Sequence, residues 1–284
     1  MIIKFGARGD AVVSIQKQLI KLGFKGKDGK ALNPDGDFGA NTEYAVLQFQ
    51  KSVGILDDGK VGDKTRAALA GQSVSKFLKG SDYTAAAKRL KVSELAIRVF
   101  GATEGRGVGF LKNGKAKILF ERHRMYHYLV QLKSKTFANA QMKQYPNLVN
   151  TATGGYKGDA AEYTRLSLAK NICAEAALMS CSWGQFQIMG ENWKVLGYSS
   201  VFEFVEQMQA SESLQLEAFI RFIEWKTGTV NGKKIALIDA LRAENWEAVF
   251  TLYNGPNYKK LGYQAKFQKE WDHLEPIYGE KKAA

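Results

Sequence analysis

Apolar residues recur at helical spacing in two stretches near the N-terminus. Val12, Ile15, Leu19 and Leu22 fall at 3-4-3 spacing, and Ala45, Val46, Phe49 and Val53 form a second set on one helix face. A short internal repeat accompanies them. Asp35-Gly36-Asp37-Phe38-Gly39-Ala40-Asn41-Thr42 matches Asp58-Gly59-Lys60-Val61-Gly62-Asp63-Lys64-Thr65 at an offset of 23 residues. Asp-Gly opens a tight turn in which glycine takes positive φ. The apolar Phe38 or Val61 then plugs a core, and the residues at or just before the threonine suit a helix N-cap. The pattern predicts a small bundle of three short helices with two matching turns over residues 1–70. Residues 71–82, GQSVSKFLKGSD, read as a linker.

The pattern over 83–284 is mostly helical. Ser81 or Asp82 can cap a helix to about Leu90. Ser93 can cap another, with Leu95, Ala96, Val99 and Phe100 as its buried stripe and Glu104 at its end. A glycine-rich break follows at Gly105, Gly107 and Gly109. Next comes a hairpin signal: strand 108–111, a turn at Asn113-Gly114 and strand 116–120, closing on Glu121. Helices are expected at 122–132 and 162–177, then at 202–207, 214–223, 235–242 and 246–252. Between the first two, 145–158 is polar, glycine-rich loop. The fold class is therefore mainly α, with one small β-hairpin in the larger domain. A hairpin brings its ends together, so Glu104 and Glu121 are expected to share a cleft. Two carboxylates there, one protonated and one charged, suit cleavage of a glycosidic bond.

Composition changes this picture in one respect. The net charge is +13, with +3 on residues 1–74 and +10 on the remainder. Such an excess predicts attraction to a polyanion. No nucleic-acid motif or basic arm accompanies it, so no nucleic-acid partner is expected. The start, MIIKFGARGD, has no apolar h-region and reads as lacking a signal peptide. No 18-residue apolar stretch predicts a membrane span. Cys173 and Cys181 read as reduced thiols; were one helix to carry both, they would sit about 12 Å apart along its axis at the α-helical rise, too far for a disulfide. His123 and His127 have ligand spacing, but Arg124 follows His123 and two ligands make no zinc site, so neither a metal nor an organic cofactor is expected.

The N-terminal pattern resembles the peptidoglycan-binding domain of cell-wall hydrolases. The likeness rests on Gly6-x-x-Gly9-x-x-Val12, Gln16, Leu19, Gly23, the two turns, Ala45-Val46 and Phe49-Gln50. It implies wall contact, with Asp35, Asp37, Phe38, Asn41 and Thr42 as the turn-proximal candidates.

Three further elements resemble the lysozyme-like superfamily: helix-end Glu104 followed by glycine, the string Ser182-Trp183-Gly184-Gln185-Phe186-Gln187-Ile188-Met189-Gly190, and Tyr253-Asn254-Gly255-Pro256. With Gly109-Phe110-Leu111 and Leu119-Phe120-Glu121-Arg122-His123, the set looks most like the N-acetylmuramidase family of phage endolysins. The resemblance implies a lysozyme-like helical domain over 83–284. It would hydrolyse the β-1,4 bond between N-acetylmuramic acid and N-acetylglucosamine and cause host lysis.

Glu104, at the end of an apolar helix, would be the general acid, its neutral form favoured by burial. Glu121 would be a general base or charge stabiliser, or else a structural ion-pair partner of Arg122 or Arg124. Ser182 and Gln187 would bond sugar hydroxyls or N-acetyl groups. Trp183 would offer a ring face or pack in the core, and Tyr253 and Asn254 would reach the cleft near Glu104. The implied partner is peptidoglycan, with anionic lipopolysaccharide or phospholipid as further surfaces for a monomeric chain. It would accumulate in the host cytoplasm and act in the periplasm once the membrane is permeabilised. The alternatives are a lytic transglycosylase leaving 1,6-anhydro ends, or a non-catalytic wall-binding phage structural protein.

Overall fold

A computed structural model describes residues 2–105, 107–256 and 258–279, apart from the side chains of 260 and 261. The chain divides into two compact units, the first running to Ala85 and the second beginning at Ala86. No helix among the described residues is long and apolar enough to cross a membrane.

The first unit contains helices α1 (Asp10–Lys21), α2 (Ala40–Ser52) and α3 (Asp63–Leu69). Val12, Ile15 and Leu19 of α1 meet Ala45, Val46 and Phe49 of α2 in one core, with Phe38 and Val61 from the two turns inside it. Leu22 departs from expectation. It lies just past the end of α1 and is 52% exposed.

The repeat is reproduced bond for bond around two buried glutamines. Gln16 Nε2 donates to Asp35 Oδ1 (3.0 Å), the Asp37 carbonyl (3.0 Å) and Thr42 Oγ1 (3.1 Å), while its Oε1 accepts from the Gly36 amide (3.0 Å). Gln50 Nε2 donates to Asp58 Oδ1 (3.0 Å), the Lys60 carbonyl (2.9 Å) and Thr65 Oγ1 (3.2 Å), and its Oε1 accepts from the Gly59 amide (2.9 Å). Each glutamine thereby holds an Asp-Gly turn whose glycine has positive φ, 78° at Gly36 and 71° at Gly59.

Thr42 and Thr65 are therefore not N-caps. The N-cap positions are Gly39 and Gly62, and the threonines serve as buried acceptors for the glutamines. Substituting Gln50 by alanine strands several buried groups, each costing about 1–3 kcal/mol. Native-state hydrogen exchange is expected to show loss of protection across 58–65, with residues 90–279 unaffected.

Residues 71–82 carry buried Leu78, and the Gly80 amide donates to the Ile55 carbonyl at 3.3 Å. Helix α4 (Gly80–Leu90) begins within this segment, and the division between the units falls inside that helix.

In the second unit α5 (Glu94–Glu104) is buried on nearly every side, capped by Ser93 Oγ, which accepts from the Ala96 amide at 3.1 Å. Strand β1 (Ile118–Phe120) leads into α6 (Arg122–Leu132) and α7 (Lys135–Gln144). The helix expected over 162–177 is two helices, α8 (Ala161–Ile172) and α9 (Ala174–Met179), broken where Cys173 takes extended backbone. Cys181 consequently lies not on a helix but on strand β2 (Cys181–Trp183), which pairs antiparallel with β1 and with β3 (Ile188–Met189). Helices α10 (Val201–Ala210) and α11 (Glu212–Trp225) follow. Strands β4 (Thr227–Val230) and β5 (Lys233–Ala236), then α12 (Leu237–Arg242), α13 (Trp246–Asn254) and α14 (Tyr263–Tyr278), complete the described chain. α14 packs along α5.

The expected hairpin at 108–120 is only partly present. Its turn closes, with the Leu111 amide donating to the Lys115 carbonyl at 2.8 Å, but the arms meet in a single bridge, Phe110 to Ala116. Buried α11 side chains also bind the first arm. Glu212 Oε1 accepts the Gly109 amide proton at 2.8 Å, and Gln215 Nε2 donates to the Gly109 carbonyl at 3.4 Å. Gly109 is thus held from both sides, since its carbonyl also accepts from the Lys117 amide at 2.8 Å, and β1 continues beyond the bridge to pair with β2, Phe120 opposite Cys181. A true hairpin forms elsewhere, β4 with β5, around Asn231-Gly232 with φ of 50° and 76°. The same Asn-Gly signal was available there in the sequence.

Candidate active site

A cleft of about 440 Å³ opens in the second unit. It is lined by Glu104 of α5, residues 186–189 of the β2–β3 turn and β3, Glu191 and Asn192 of the 3₁₀ turn that follows, Phe222 and Trp225 of α11, Lys226, Tyr253 and Asn254 of α13, and Tyr263 of α14. Glu104 is 8% exposed at the last residue of its helix, and Asn254 Nδ2 donates to its Oε1 at 2.9 Å. The Lys266 ammonium donates to the Thr103 carbonyl and, at 3.4 Å, to that of Gly105. A cation thus sits on the negative end of α5, where it is favourable.

Gly105 is required by close approach. A Cβ there would lie 2.7 Å from the Gly101 carbonyl oxygen and 3.0 Å from Gln185 Nε2. Gly184 is tighter still, its Cβ position 2.4 Å from the Gln215 side chain. Gln215 Oε1 accepts from the Gln185 amide at 2.7 Å, so one buried glutamine anchors both the Gly109 segment and the 184–187 turn.

Of the expected pair of glutamates, only Glu104 lines the cleft. Glu121, at the N-cap position of α6, lies outside that lining. Its Oε2 accepts from the Tyr156 hydroxyl at 2.8 Å and lies 3.2 Å from His123 Nδ1. Neither arginine weighed for it is its partner. Arg122 donates to the carbonyls of Ala152 and Thr153, and Arg124 pairs with Glu191.

The second carboxylate on the cleft wall is Glu191, which the sequence reading did not single out. Its Oε2 accepts from Arg124 Nε at 2.7 Å, from Arg124 Nη2 and from the Tyr128 hydroxyl at 2.7 Å. Burial and the bond to Glu191 push the Tyr128 hydroxyl up to about 12, so it is a neutral donor. Burial alone would lower the Arg124 value, but its bonds to Glu191 outweigh this and raise it.

The remaining candidates separate by burial. Trp183 is 1% exposed and its Nε1 donates to the Leu178 carbonyl at 3.3 Å, so its ring is core and not a sugar platform. Trp225, 42% exposed on the cleft wall, is the indole with an open face. Ser182 and Gln187 bond each other, Ser182 Oγ donating to Gln187 Oε1 at 2.9 Å, while Gln187 Nε2 donates to the Gly184 carbonyl at 2.8 Å. This tie accompanies a positive φ of 51° at Gln187, a conformation disfavoured for a residue with a Cβ.

Tyr253 and Asn254 form the last residues of α13, which runs two residues past the expected helix end at 252. The Tyr253 ring meets Phe100, Phe219 and Phe222 edge-on, and its hydroxyl donates to the Phe186 carbonyl at 3.3 Å. In the first unit, Phe38 and Thr42 are buried, 0% and 3% exposed, whereas Asp35, Asp37 and Asn41 are exposed.

Residues 94–275, most of the chain, match the N-acetylmuramidase family. The chain belongs to this family. Residues 8–69 match the putative peptidoglycan-binding domain family. The crystal structure of the Burkholderia AP3 phage endolysin is similar throughout, with a TM-score of 0.86 and 39% identity over 98% of this chain and 100% of that one. Two curated proteins are similar over shorter lengths. The spore cortex-lytic enzyme of Halalkalibacterium halodurans is 40% identical over 68 residues, which is 24% of this chain and 19% of that protein. A probable N-acetylmuramoyl-L-alanine amidase of Bacillus licheniformis is 34% identical over 84 residues, 30% of this chain and 23% of that one. The chain thus spans only about a fifth of the length of these curated relatives.

Proposed function

We propose that this muramidase is a phage endolysin that hydrolyses the β-1,4 bond between N-acetylmuramic acid and N-acetylglucosamine in peptidoglycan, with Glu104 as general acid. The observation that carries the reading is the Glu104 carboxyl, nearly buried on the wall of a cleft wide enough for sugar rings and held by Asn254. Asn254 Nδ2 donates to Oε1 and so fixes the carboxyl on the cleft wall, where in this reading it is the proton donor. Proton delivery from there to the glycosidic oxygen lets the bond break through an oxocarbenium-like transition state. The exposed face of Trp225 supplies an apolar platform for a sugar ring. Glu121, outside the cleft lining, acts through the position of the 154–158 loop and β1, not on the sugar.

The first unit holds the enzyme on the wall through Asp35, Asp37 and Asn41, its turn residues open to solvent. The net charge of +13 adds attraction to anionic lipopolysaccharide and phospholipid. In this reading the chain acts as a monomer, made in the host cytoplasm and admitted to the periplasm when the membrane is permeabilised.

Mass spectrometry of digested sacculi tests the chemistry. Fragments with reducing N-acetylmuramic acid ends are expected. Anhydro ends would replace hydrolysis by transglycosylation, free stem peptides would point to an amidase, and no release at all would reduce the chain to a binder.

A further inference from the structure

Glu191 is bound asymmetrically. A structural Arg–carboxylate pair commonly engages both oxygens, fork to fork. Here both arginine nitrogens and the Tyr128 hydroxyl converge on Oε2. Oε1 is left with no protein partner among the described residues, on a side chain that is 22% exposed and borders the cleft. The next residue, Asn192, also borders the cleft, and its side-chain amide makes no hydrogen bond among the described residues. Ile188 and Met189 line the same wall.

A fixed acceptor, an uncommitted amide and adjoining apolar surface match the three parts of an acetamido group. These are its N–H donor, its carbonyl acceptor and its methyl. Ser182 and Gln187, the residues the sequence suggests for this contact, are engaged with each other and with the backbone.

We propose that Glu191 and Asn192 form a specificity subsite for the 2-acetamido group of a glycan residue. The group's N–H donates to Glu191 Oε1 and its carbonyl accepts from Asn192. The assignment rests on the glycan-cleaving reading above. Arg124 and Tyr128 are positioning residues: they hold the carboxylate through Oε2 and keep Oε1 towards the ligand.

Calorimetric binding to the full-length chain carrying Glu104→Gln tests this without turnover. The probes are chitotetraose and cellotetraose, which share the β-1,4 backbone and differ in an acetamido or a hydroxyl at C2. Chitotetraose is expected to bind at least about tenfold more tightly, the weight of a hydrogen bond to a charged group. Adding Asn192→Ala or Glu191→Gln is expected to lower that ratio to near unity while cellotetraose affinity holds, and Asn192→Ala is expected to keep the melting temperature. Asn192→Ala leaves the ion pair intact and decides alone where Glu191→Gln fails to fold.

Equal binding of the two sugars by the Glu104→Gln chain, failure of both to bind, or a ratio unmoved by either variant would overturn the subsite. A fall in affinity for both sugars together would show a cleft-wide collapse and overturn it too. A wild-type chain that releases no glycan from sacculi while the ratio persists rejects the hydrolytic reading and keeps the subsite.

Discussion

A Glu104→Gln variant is expected to lose wall-lysing activity by about 10²–10⁴-fold, the range for removing a general acid. Its melting curve is expected to match the wild type. Glutamine is isosteric, and its carbonyl still accepts from Asn254, so the hydrogen bond at 2.9 Å survives while the transferable proton is lost. Asn254→Ala is expected to lower activity less, because it removes the group that holds the acid and not the acid itself. Clearing of embedded sacculi in a gel, with circular dichroism on the same samples, reads both. Near-wild-type clearing by Glu104→Gln rejects Glu104 as the acid.

The second large effect concerns stability. Glu162 is fully buried and its carboxylate is surrounded by donors: the amides of Phe120 (3.2 Å), Lys157 (2.5 Å) and Gly158 (3.1 Å), and Arg165 Nη1 at 2.7 Å. Arg165 reaches on to the carbonyls of Phe120 and Asn147, both at 2.9 Å. This pair ties α8 to β1 and to the loop that carries Tyr156, and so sets where Glu121 stands. Glu162→Ala leaves a buried guanidinium uncompensated and is expected to cost about 3–5 kcal/mol.

The same pair has a pH signature. Burial by itself pushes the Glu162 carboxyl up, but the hydrogen bonds from the Lys157 amide, Arg165 and the Gly158 amide outweigh it and hold the group below its usual value. A lowered folded value means that the unfolded chain binds the proton more readily. The contribution is therefore complete above the unfolded carboxyl pKa of about 4.3 and is lost as pH falls through the lower, folded value. The difference in melting temperature between wild type and Glu162→Gln is expected to be flat from pH 7 to 5 and to shrink below about 4.3. A gap that widens on acidification would reverse the sign.

The helical periodicities were legible because they follow from burying one face. Val12, Ile15 and Leu19, and Leu95, Ala96, Val99 and Phe100, all lie in cores where the spacing placed them. The duplicated D-G-x-apolar-G-x-x-T motif located both turns, though not the two glutamines that hold them. Gln16 and Gln50 act 19 and 8 residues away from the aspartates they bond, and no local rule links them. Helix-end Glu104 was likewise readable, because an apolar stripe that ends on a carboxylate and a glycine break is a local pattern.

Sequence alone thus determined the two-module plan, the turns and the candidate acid. The tertiary structure decided which residues share the cleft. Glu212 and Gln215 are buried polar groups whose bonding capacity must be met, and they meet it by seizing the backbone at Gly109 and Gln185. The first arm is tied to α11 as well as to its partner arm, β1 pairs with β2, and Glu121 lies outside the cleft lining while Glu191 and Trp225 line it. Alternation and turn residues report a strand's local preference. Its partner is chosen by distant donors and acceptors that cannot be buried unsatisfied.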